Sequence, residues 1–181
     1  DHLASEVACS SGFGHPDQGR VAKVRARSVG QAQPVAWPAI VFTQEASEVS
    51  LEVEFLPAST APTNETCGTA EVLLPGVPTV ASVIGSSEDV GTACGEGGQR
   101  TGDLLYSFTL TDAQNVQLLA TSVDGDGEPI LSLRDTDCAL PDDEITCNVG
   151  AAAKIFRHSL APGTYHVAVA ATAPTDVVVT L

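Results

Sequence analysis

The loop SVDGDGEP (122–129) carries acidic residues at a spacing that suits a calcium ion. Asp124, Asp126 and Glu128 occupy alternate positions, and two glycines permit a tight turn between them. Alternate carboxylate oxygens on such a loop are typical calcium ligands. The EF-hand pattern is not met, because Gly stands at the fourth position and Asp135 at the twelfth. An exposed acidic turn between two strands is therefore favoured, calcium binding is the alternative, and no other cofactor is expected.

A second acidic cluster lies in DTDCALPDDEITC (135–147). Acidic side chains at this density could chelate a divalent cation, but a solvated loop held by a disulfide is the favoured interpretation. The cluster consists of Asp135, Asp137, Asp142, Asp143 and Glu144.

Hydrolytic chemistry would require a nucleophile, a base and an orienting acid in one pocket. Ser, His and Asp are all present, but no G-x-S-x-G or H-E-x-x-H pattern frames them. His158 and His166 fall on two strands that we expect to be neighbours, and pairing of those strands would bring the rings close. Outward-facing polar positions on alternating strands explain both histidines directly. The sequence therefore predicts no catalytic residue and no enzyme.

The cysteines favour disulfides over a metal site. They form no C-x-x-C pair and lie away from the histidines, so a zinc site is disfavoured. Spacing suggests that Cys67 pairs with Cys94 and Cys138 with Cys147, which leaves Cys9 unpaired, although other pairings stay open. Because disulfides persist in oxidising compartments, we predict a secreted, extracellular or cell-surface protein, with the periplasm as the alternative.

The composition excludes several classes of partner. The 181 residues carry a formal net charge of -15, which repels nucleic acid and leaves no basic patch for an anionic membrane. No apolar run approaches the length of a bilayer span. The hydrophobic share of 43% supports a core, which must be mainly aliphatic because only 4% of residues are aromatic. Since the sequence lacks Met, we expect a processed or truncated chain.

Short runs rich in Val, Thr and Leu, separated by Gly, Pro and Asp clusters, must position these candidate residues. Tyr106, Phe108 and Leu110 alternate with Ser107 and Thr109, the pattern of a half-buried antiparallel strand. Many short strands at regular spacing are typical of a β-sandwich. After the first 63 residues we predict a short helix at 67–73 and strands at 78–85, 104–111, 115–123, 129–135, 144–147, 153–160, 164–171 and 175–181.

The chain contains an internal repeat. EITCNVG (144–150) matches EVACSSG (6–12), and each is followed by a Gly-containing loop, a basic strand, a turn and two more strands. The first copy holds only the second half of the unit. A stretch with linker composition, rich in Pro, Ala, Ser and Thr, separates the copies. We therefore predict a partial β-rich unit at 1–56, a linker at 57–63 and a complete unit at 64–181.

Residues 64–181 resemble the bacterial pre-peptidase C-terminal domain in its cysteine-containing tandem form. The resemblance rests on NETCGTAEVLLPG, GTACGEGG, GDLLYSFTL, PILSLRDTDC, EITC and LAPGTYHVAVA, in that order. Residues 6–55 resemble the back half of the same domain, although WPAIVFTQ replaces the expected PGTYxVxV. The resemblance implies a compact antiparallel sandwich, appended to exported proteins, with a binding or targeting role and no catalysis. The calcium ligands of collagenase-attached relatives have no residue-by-residue match here.

The sequence thus predicts an all-β, disulfide-stabilised, jelly-roll-like antiparallel β-sandwich preceded by part of a second one. The expected function is a non-catalytic binding or adhesion module of a larger secreted or cell-surface bacterial protein, with a protein or polysaccharide ligand. The first alternative is a structural subunit of an extracellular assembly that uses open strand edges. An enzyme, or an accessory region of a secreted hydrolase, is the second. The expected partner is the rest of a larger polypeptide or a neighbouring subunit, without nucleic acid or membrane insertion.

Overall fold

The computed structural model describes residues 50–51, 62–94, 100–125 and 127–181. Nearly all of the predicted partial unit and most of the predicted linker lie outside these residues, as do Cys9 and Asp126. What the sequence predicts for them stays a prediction.

The described residues form nine strands, and the eight from β2 onward lie on the eight predicted segments. Their bounds are β1 Glu71–Val72, β2 Thr79–Ser82, β3 Leu104–Leu110, β4 Gln114–Ser122, β5 Pro129–Arg134, β6 Glu144–Val149, β7 Ala152–Leu160, β8 Gly163–Ala171 and β9 Asp176–Thr180. Two single 3-10 turns, Cys67–Thr69 and Pro141–Asp143, complete the elements.

The predicted helix at 67–73 is wrong. A 3-10 turn spans Cys67–Thr69, and β1 follows it directly. Glu71 and Val72 pair in parallel with Tyr106 and Ser107 of β3, so the edge of the sheet takes the backbone hydrogen bonds that a helix would have used. Tertiary pairing here overrides local helix propensity.

The strands build two sheets with the order β1-β3-β8-β5-β6 and β2-β9-β4-β7. Apart from the parallel β1–β3 pair, neighbouring strands are antiparallel. Leaving β1 aside, the two four-strand orders 3-8-5-6 and 2-9-4-7 are those of a jelly roll. The predicted fold class, an antiparallel jelly-roll-like sandwich, is confirmed for the described residues.

The core between the sheets is aliphatic, with a few rings at one end. On β3, Tyr106 and Phe108 are buried while Thr109 is exposed, as the alternation predicted. Phe108 stacks on Tyr165 of β8 with ring centroids 5.6 Å apart. The Tyr165 hydroxyl donates to the carbonyl oxygen of Ala161 at 3.0 Å, so its polar end is satisfied.

The two sheets differ in what covers their outer faces. On the five-stranded sheet, most outward side chains of the three central strands are buried, because loops 86–94 and 135–143 lie across them. The buried outward residues are Leu105, Ile130, Ser132, Arg134, His166, Ala168 and Ala170. Consequently all six residues of β5 are buried. On the four-stranded sheet, the outward side chains are half-buried or exposed.

Candidate binding surface

Two disulfides hold the covering loops, but the predicted pairing is wrong. Cys67 is bonded to Cys138, with the Cα atoms 6.1 Å apart, and Cys94 is bonded to Cys147, with the Cα atoms 5.7 Å apart. The first bridge joins the turn before β1 to loop 135–143, and the second joins loop 86–94 to β6. Both bonds cross between segments that are distant in sequence.

Strand register explains why sequence neighbours do not pair. Cys147 lies opposite Ser132 in the β5–β6 ladder, whereas Cys138 follows the end of β5 and points into a small buried cluster with Val90, Leu105 and Ala168. Cys67 packs against the same cluster. Because a disulfide requires Cα atoms within about 7 Å, partners are set by this packing and not by the length of the intervening loop.

Arg134, which is fully buried, organises both covering loops. Its Nε donates to the carbonyl oxygen of Cys138 at 2.6 Å, and a terminal nitrogen donates to Gly91 at 2.8 Å. The other terminal nitrogen donates to the carbonyl oxygen of Leu140. Burial lowers the pKa of Arg134, while nearby carboxylates, first that of Glu144 at 3.7 Å, oppose this effect. The guanidinium is therefore a fixed structural ion.

Glu144 is the matching anion, and most of its acceptor capacity is used inside the protein. Its carboxylate accepts from the hydroxyl of Ser132 at 2.6 Å, from the hydroxyl of Thr92, and from the backbone N–H of Ala93 at 3.2 Å. A carboxylate that is bonded in this way on a buried sheet face holds loop 86–94 in place.

Asp103 anchors the other end of loop 86–94. Its buried carboxylate accepts backbone N–H groups from Val90 at 3.0 Å and Asp89 at 3.4 Å. Arg100 lies 3.7 Å from it and also pairs with Glu88 at 2.6 Å. Desolvation raises the pKa of Asp103 from 3.8 to about 6, although both backbone donors and Arg100 act in the opposite direction.

The loop also needs a glycine directly before Asp103. A Cβ placed on Gly102 would lie 2.0 Å from the backbone oxygen of Ser86, so the two backbones pack closer than a side chain permits. Asp103 then donates its backbone N–H to the carbonyl oxygen of Ser87 at 2.8 Å.

Asp103 should give the folding stability a pH dependence. A folded-state pKa of about 6, above the unfolded value of 3.8, means that the folded state binds the proton more tightly. The contribution of Asp103 to the free energy of unfolding is therefore full below pH 3.8 and is lost as the pH rises through 6. Between pH 4.5 and pH 7 the loss for this group is about 2 kcal/mol.

Urea unfolding at both pH values tests this contribution. Because other carboxylates change the stability too, the quantity to compare is the difference between the native chain and Asp103→Asn. We expect the free energy of unfolding of the native chain, relative to that of Asp103→Asn, to be about 2 kcal/mol higher at pH 4.5 than at pH 7. An identical pH profile for the two proteins would contradict the raised pKa.

The predicted calcium loop is only partly described. Asp124 and Glu128 are exposed on either side of Asp126, which lies outside the described residues. Within the described ranges, no three His, Cys, Asp or Glu side chains are grouped closely enough to hold a metal ion. Calcium binding by Asp124, Asp126 and Glu128 stays a prediction.

The acidic cluster at 135–144 serves partly to shape its own loop. Asp135 accepts the backbone N–H of Thr136 at 2.8 Å, and Asp143 accepts that of Leu140 at 2.7 Å. Such local bonds between a carboxylate and the backbone are typical of turns. Glu144 is bound to the buried network, so these three acids do not converge on one point.

The two histidines do not come together. His158 lies on β7 and His166 on β8, and these strands belong to different sheets. The expectation that they are neighbours is wrong because the jelly-roll connection between β7 and β8 crosses from one sheet to the other. His166 is buried, with Nδ1 3.3 Å from the carbonyl oxygen of Asp135, whereas His158 packs edge-on against Phe156 with ring centroids 4.6 Å apart.

The outer face of the four-stranded sheet, which we call the open face, presents a different chemistry. On β7, Lys154, Phe156 and His158 all point outward, and Phe156 is 47% exposed. Gln117 of β4 lies opposite Phe156, and Leu119 lies opposite Lys154. The open face thus combines an exposed aromatic ring with amide, ammonium and imidazole groups on rigid strands.

Sequence reasoning missed Arg134, Asp103 and Phe156. Arg134 ends a strand in which every other residue is apolar or small, and a single charge in such a run is a signal of a buried ion. Asn64 begins an N-x-T pattern, the sequence signal for N-glycosylation. In the structure Asn64 is buried, and its side-chain amide donates to the carbonyl oxygen of Leu105 at 3.1 Å, so the side chain has a structural role.

Comparison with solved structures gave similarities of fold alone. No family model and no curated protein matches the sequence. The structure is similar to the 1.0 Å crystal structure of the pre-peptidase C-terminal domain of a collagenase from Bacillus anthracis. The TM-score is 0.43 and the sequence identity 13%, and the match covers 67% of this chain and 98% of that domain.

Proposed function

We propose that this chain is a non-catalytic binding module of a larger secreted or cell-surface protein, and that the open face contacts its ligand. The observation that carries the proposal is the contrast between the two outer faces. On the outer face of the five-stranded sheet, two disulfides together with Arg134, Glu144 and Asp103 fix the covering loops. The other presents Phe156, Gln117 and Lys154 on a rigid sheet.

The chemistry of the open face suits an extended polymer. An exposed ring offers a stacking surface, and amide and ammonium groups donate hydrogen bonds to hydroxyl or carbonyl oxygens. Binding groups carried on strands keep their geometry better than groups on loops. Both ligand classes expected from the sequence, a protein and a polysaccharide, can meet these requirements.

An extracellular location is supported by the disulfides, because such bonds persist in oxidising compartments. In the part of the chain that the structure describes, there is no helix with the length and apolarity needed to cross a bilayer.

Co-sedimentation with insoluble extracellular polymers tests the function. The full chain is mixed separately with cellulose, chitin, peptidoglycan and collagen fibres, and bound protein is quantified over a range of concentrations. We expect at least one polymer to retain the native chain, and Phe156→Ser to weaken that retention by about tenfold, since stacking is lost.

Leu140→Ser provides the matched control. Leu140 is 62% exposed on the covering loop of the other sheet, and its side chain is as dispensable to the core as that of Phe156. We expect this variant to bind like the native chain. Absence of binding to every polymer, or equal losses in the two variants, would count against the open face as the binding surface.

A further inference from the structure

Strand β7 presents three exposed side chains in a row on the open face. Lys154, Phe156 and His158 occupy alternate positions of the strand, so their Cα atoms are spaced by about 7 Å and the row is about 14 Å long. We call these three residues the β7 row. The rings of Phe156 and His158 are nearly perpendicular, with centroids 4.6 Å apart, so each ring limits the motion of the other. A row of this length on one strand suits a linear polymer better than a compact small molecule.

The β7 row lies in a part of the chain that has no acidic residue, although the protein as a whole is strongly acidic. Residues 145–175 contain no Asp or Glu, whereas the 181 residues carry a formal net charge of -15. The neighbouring strand β4 has no charged residue at all. An anion that approaches the β7 row therefore meets a cation and neutral polar groups, while acids outnumber bases over the rest of the described residues.

The acids that flank this region lie beyond the range of a strong repulsion. Leu119 of β4 lies opposite Lys154. The acids beside β4 are Asp112, Asp124 and Asp176, the last of which accepts the backbone N–H of Val123. All three are at least four positions along the strand from Leu119, or about 13 Å. At about 0.15 M salt the Debye length is about 8 Å, so these charges act weakly on an anion at Lys154.

Lys154 also differs from the buried arginines of the sandwich in its partners. Arg100 and Arg134 both form ion pairs with carboxylates of the protein. Among the described residues, no carboxylate forms an ion pair with Lys154. Its ammonium group is therefore available to an anion from outside the sandwich, and such a contact breaks no internal pair.

The outer edge of β7 does not favour a peptide as the ligand. Arg157 of β7 donates to the carbonyl oxygen of Ile145 on β6 at 2.6 Å, and the backbone N–H of Lys154 donates to the side-chain oxygen of Asn148 at 3.4 Å. These bonds join β7 to β6, so the edge is not open for an extended polypeptide to add as a further strand. A ligand of the β7 row has to be recognised through side chains, which favours sugar rings with charged substituents.

We propose that the open face binds an anionic polysaccharide, with a sugar ring stacked on Phe156 and an anionic substituent of the sugar paired with Lys154. The inference rests on the proposed function, because it names the ligand class of the same face. Gln117, which lies opposite Phe156, offers an amide donor and acceptor to the sugar hydroxyls. The aromatic ring supplies affinity for the polymer backbone, and the ammonium group selects charged polymers over neutral ones.

Calorimetric titration with matched soluble polymers tests the ligand class. Carboxymethylcellulose is compared with hydroxyethylcellulose, and polygalacturonate with its methyl ester, so that each pair shares a backbone and differs in charge. The full 181-residue chain is titrated at about 0.15 M salt, where distant acids are screened. We expect the charged member of at least one pair to bind about fivefold more tightly than the neutral member, the upper range for one exposed ion pair.

Variants of the β7 row separate the charge from the ring. Lys154→Gln should lower the affinity for the charged polymer about fivefold and leave that for the neutral polymer unchanged, whereas Lys154→Arg should keep the preference. Phe156→Ser should weaken the binding of both members. Leu140→Glu is the matched control, because it changes the net charge by the same amount as Lys154→Gln but at an exposed position on the other sheet. It should bind like the native chain.

The outcomes distinguish this inference from the proposed function. Equal affinity for both members of each pair, with a loss in Phe156→Ser, would overturn the anionic ligand and leave the open face as the binding surface. Binding to collagen alone would also overturn it. If Lys154→Gln kept the full preference for charged polymers, the anion would bind elsewhere on the chain and the inference would be wrong. Absence of binding to every polymer, soluble or insoluble, would overturn both proposals.

Discussion

Arg134→Met is expected to lower the free energy of unfolding by about 4 kcal/mol, the range seen when one partner of a buried ion pair is removed. The methionine side chain fills much of the volume but donates no hydrogen bond. The carbonyl oxygens of Gly91, Cys138 and Leu140 would lose their donor, and each unsatisfied buried acceptor costs about 1–3 kcal/mol unless water reaches it.

The loss also affects Glu144. Its carboxylate lies 3.7 Å from Arg134 and is only 8% exposed in its side chain, so removal of the guanidinium leaves a nearly buried anion without its cation. That charge would be compensated only by the neutral donors from Ser132, Thr92 and Ala93. Loop 86–94 is therefore expected to loosen before the core of the sandwich unfolds.

Urea unfolding followed by circular dichroism measures the change for Arg134→Met. Arg157→Met is the matched control, because Arg157 is half-buried and donates to a single carbonyl oxygen, that of Ile145, at 2.6 Å. We expect Arg157→Met to lower the free energy of unfolding by about 1 kcal/mol. If both variants lowered the free energy of unfolding by the same small amount, Arg134 would not have the organising role that its hydrogen bonds indicate.

The fold was predictable because its signal is local. Alternation on β3 follows from one face of a strand packing inward, and each strand from β2 onward is long enough to show its own pattern between turn residues. β1 has only two residues and forms because β3 offers an unpaired edge, so its own sequence contains too little information to predict it.

The covering loops were less predictable because their interactions are distant in sequence. Arg134 meets Gly91, forty-three positions away, and Glu144 meets Thr92, fifty-two positions away. The sequence shows the acidic cluster at 135–144, but nothing in it distinguishes Glu144, the acid bound to the buried network, from the other acids. The role of Glu144 depends on its pairing opposite Arg134 in the β5–β6 ladder, and that register is a property of the folded sheet.

The disulfide pairing leads to the second large effect. The double variant Cys67→Ala, Cys138→Ala opens a loop of sequence separation 71, for which the chain-entropy model gives a loss of about 4 kcal/mol. Cys138 is fully buried in the cluster with Val90 and Leu105, so loss of its sulfur also removes packing. Urea unfolding should show a lower midpoint than for the native chain.

The variant Cys94→Ala, Cys147→Ala is the comparison. Its loop has a sequence separation of 53, which gives nearly the same entropic term, about 4 kcal/mol. Both sulfurs lie at half-buried positions, so little packing is lost. We therefore expect the Cys67, Cys138 variant to be the less stable of the two, and the reverse order would contradict the burial of Cys138.

The single variant Cys67→Ala separates the observed pairing from the pairing of sequence neighbours. Its former partner becomes a free thiol, which can be alkylated in denaturant without reductant and identified by peptide mass analysis. The structure requires the newly labelled peptide to contain Cys138, whereas neighbour pairing would label Cys94. Because Cys138 follows β5 and Cys67 precedes β1, this bond links the first and middle parts of the sandwich. A label on Cys94 would therefore contradict both the Cys67–Cys138 bond and the arrangement of the two covering loops.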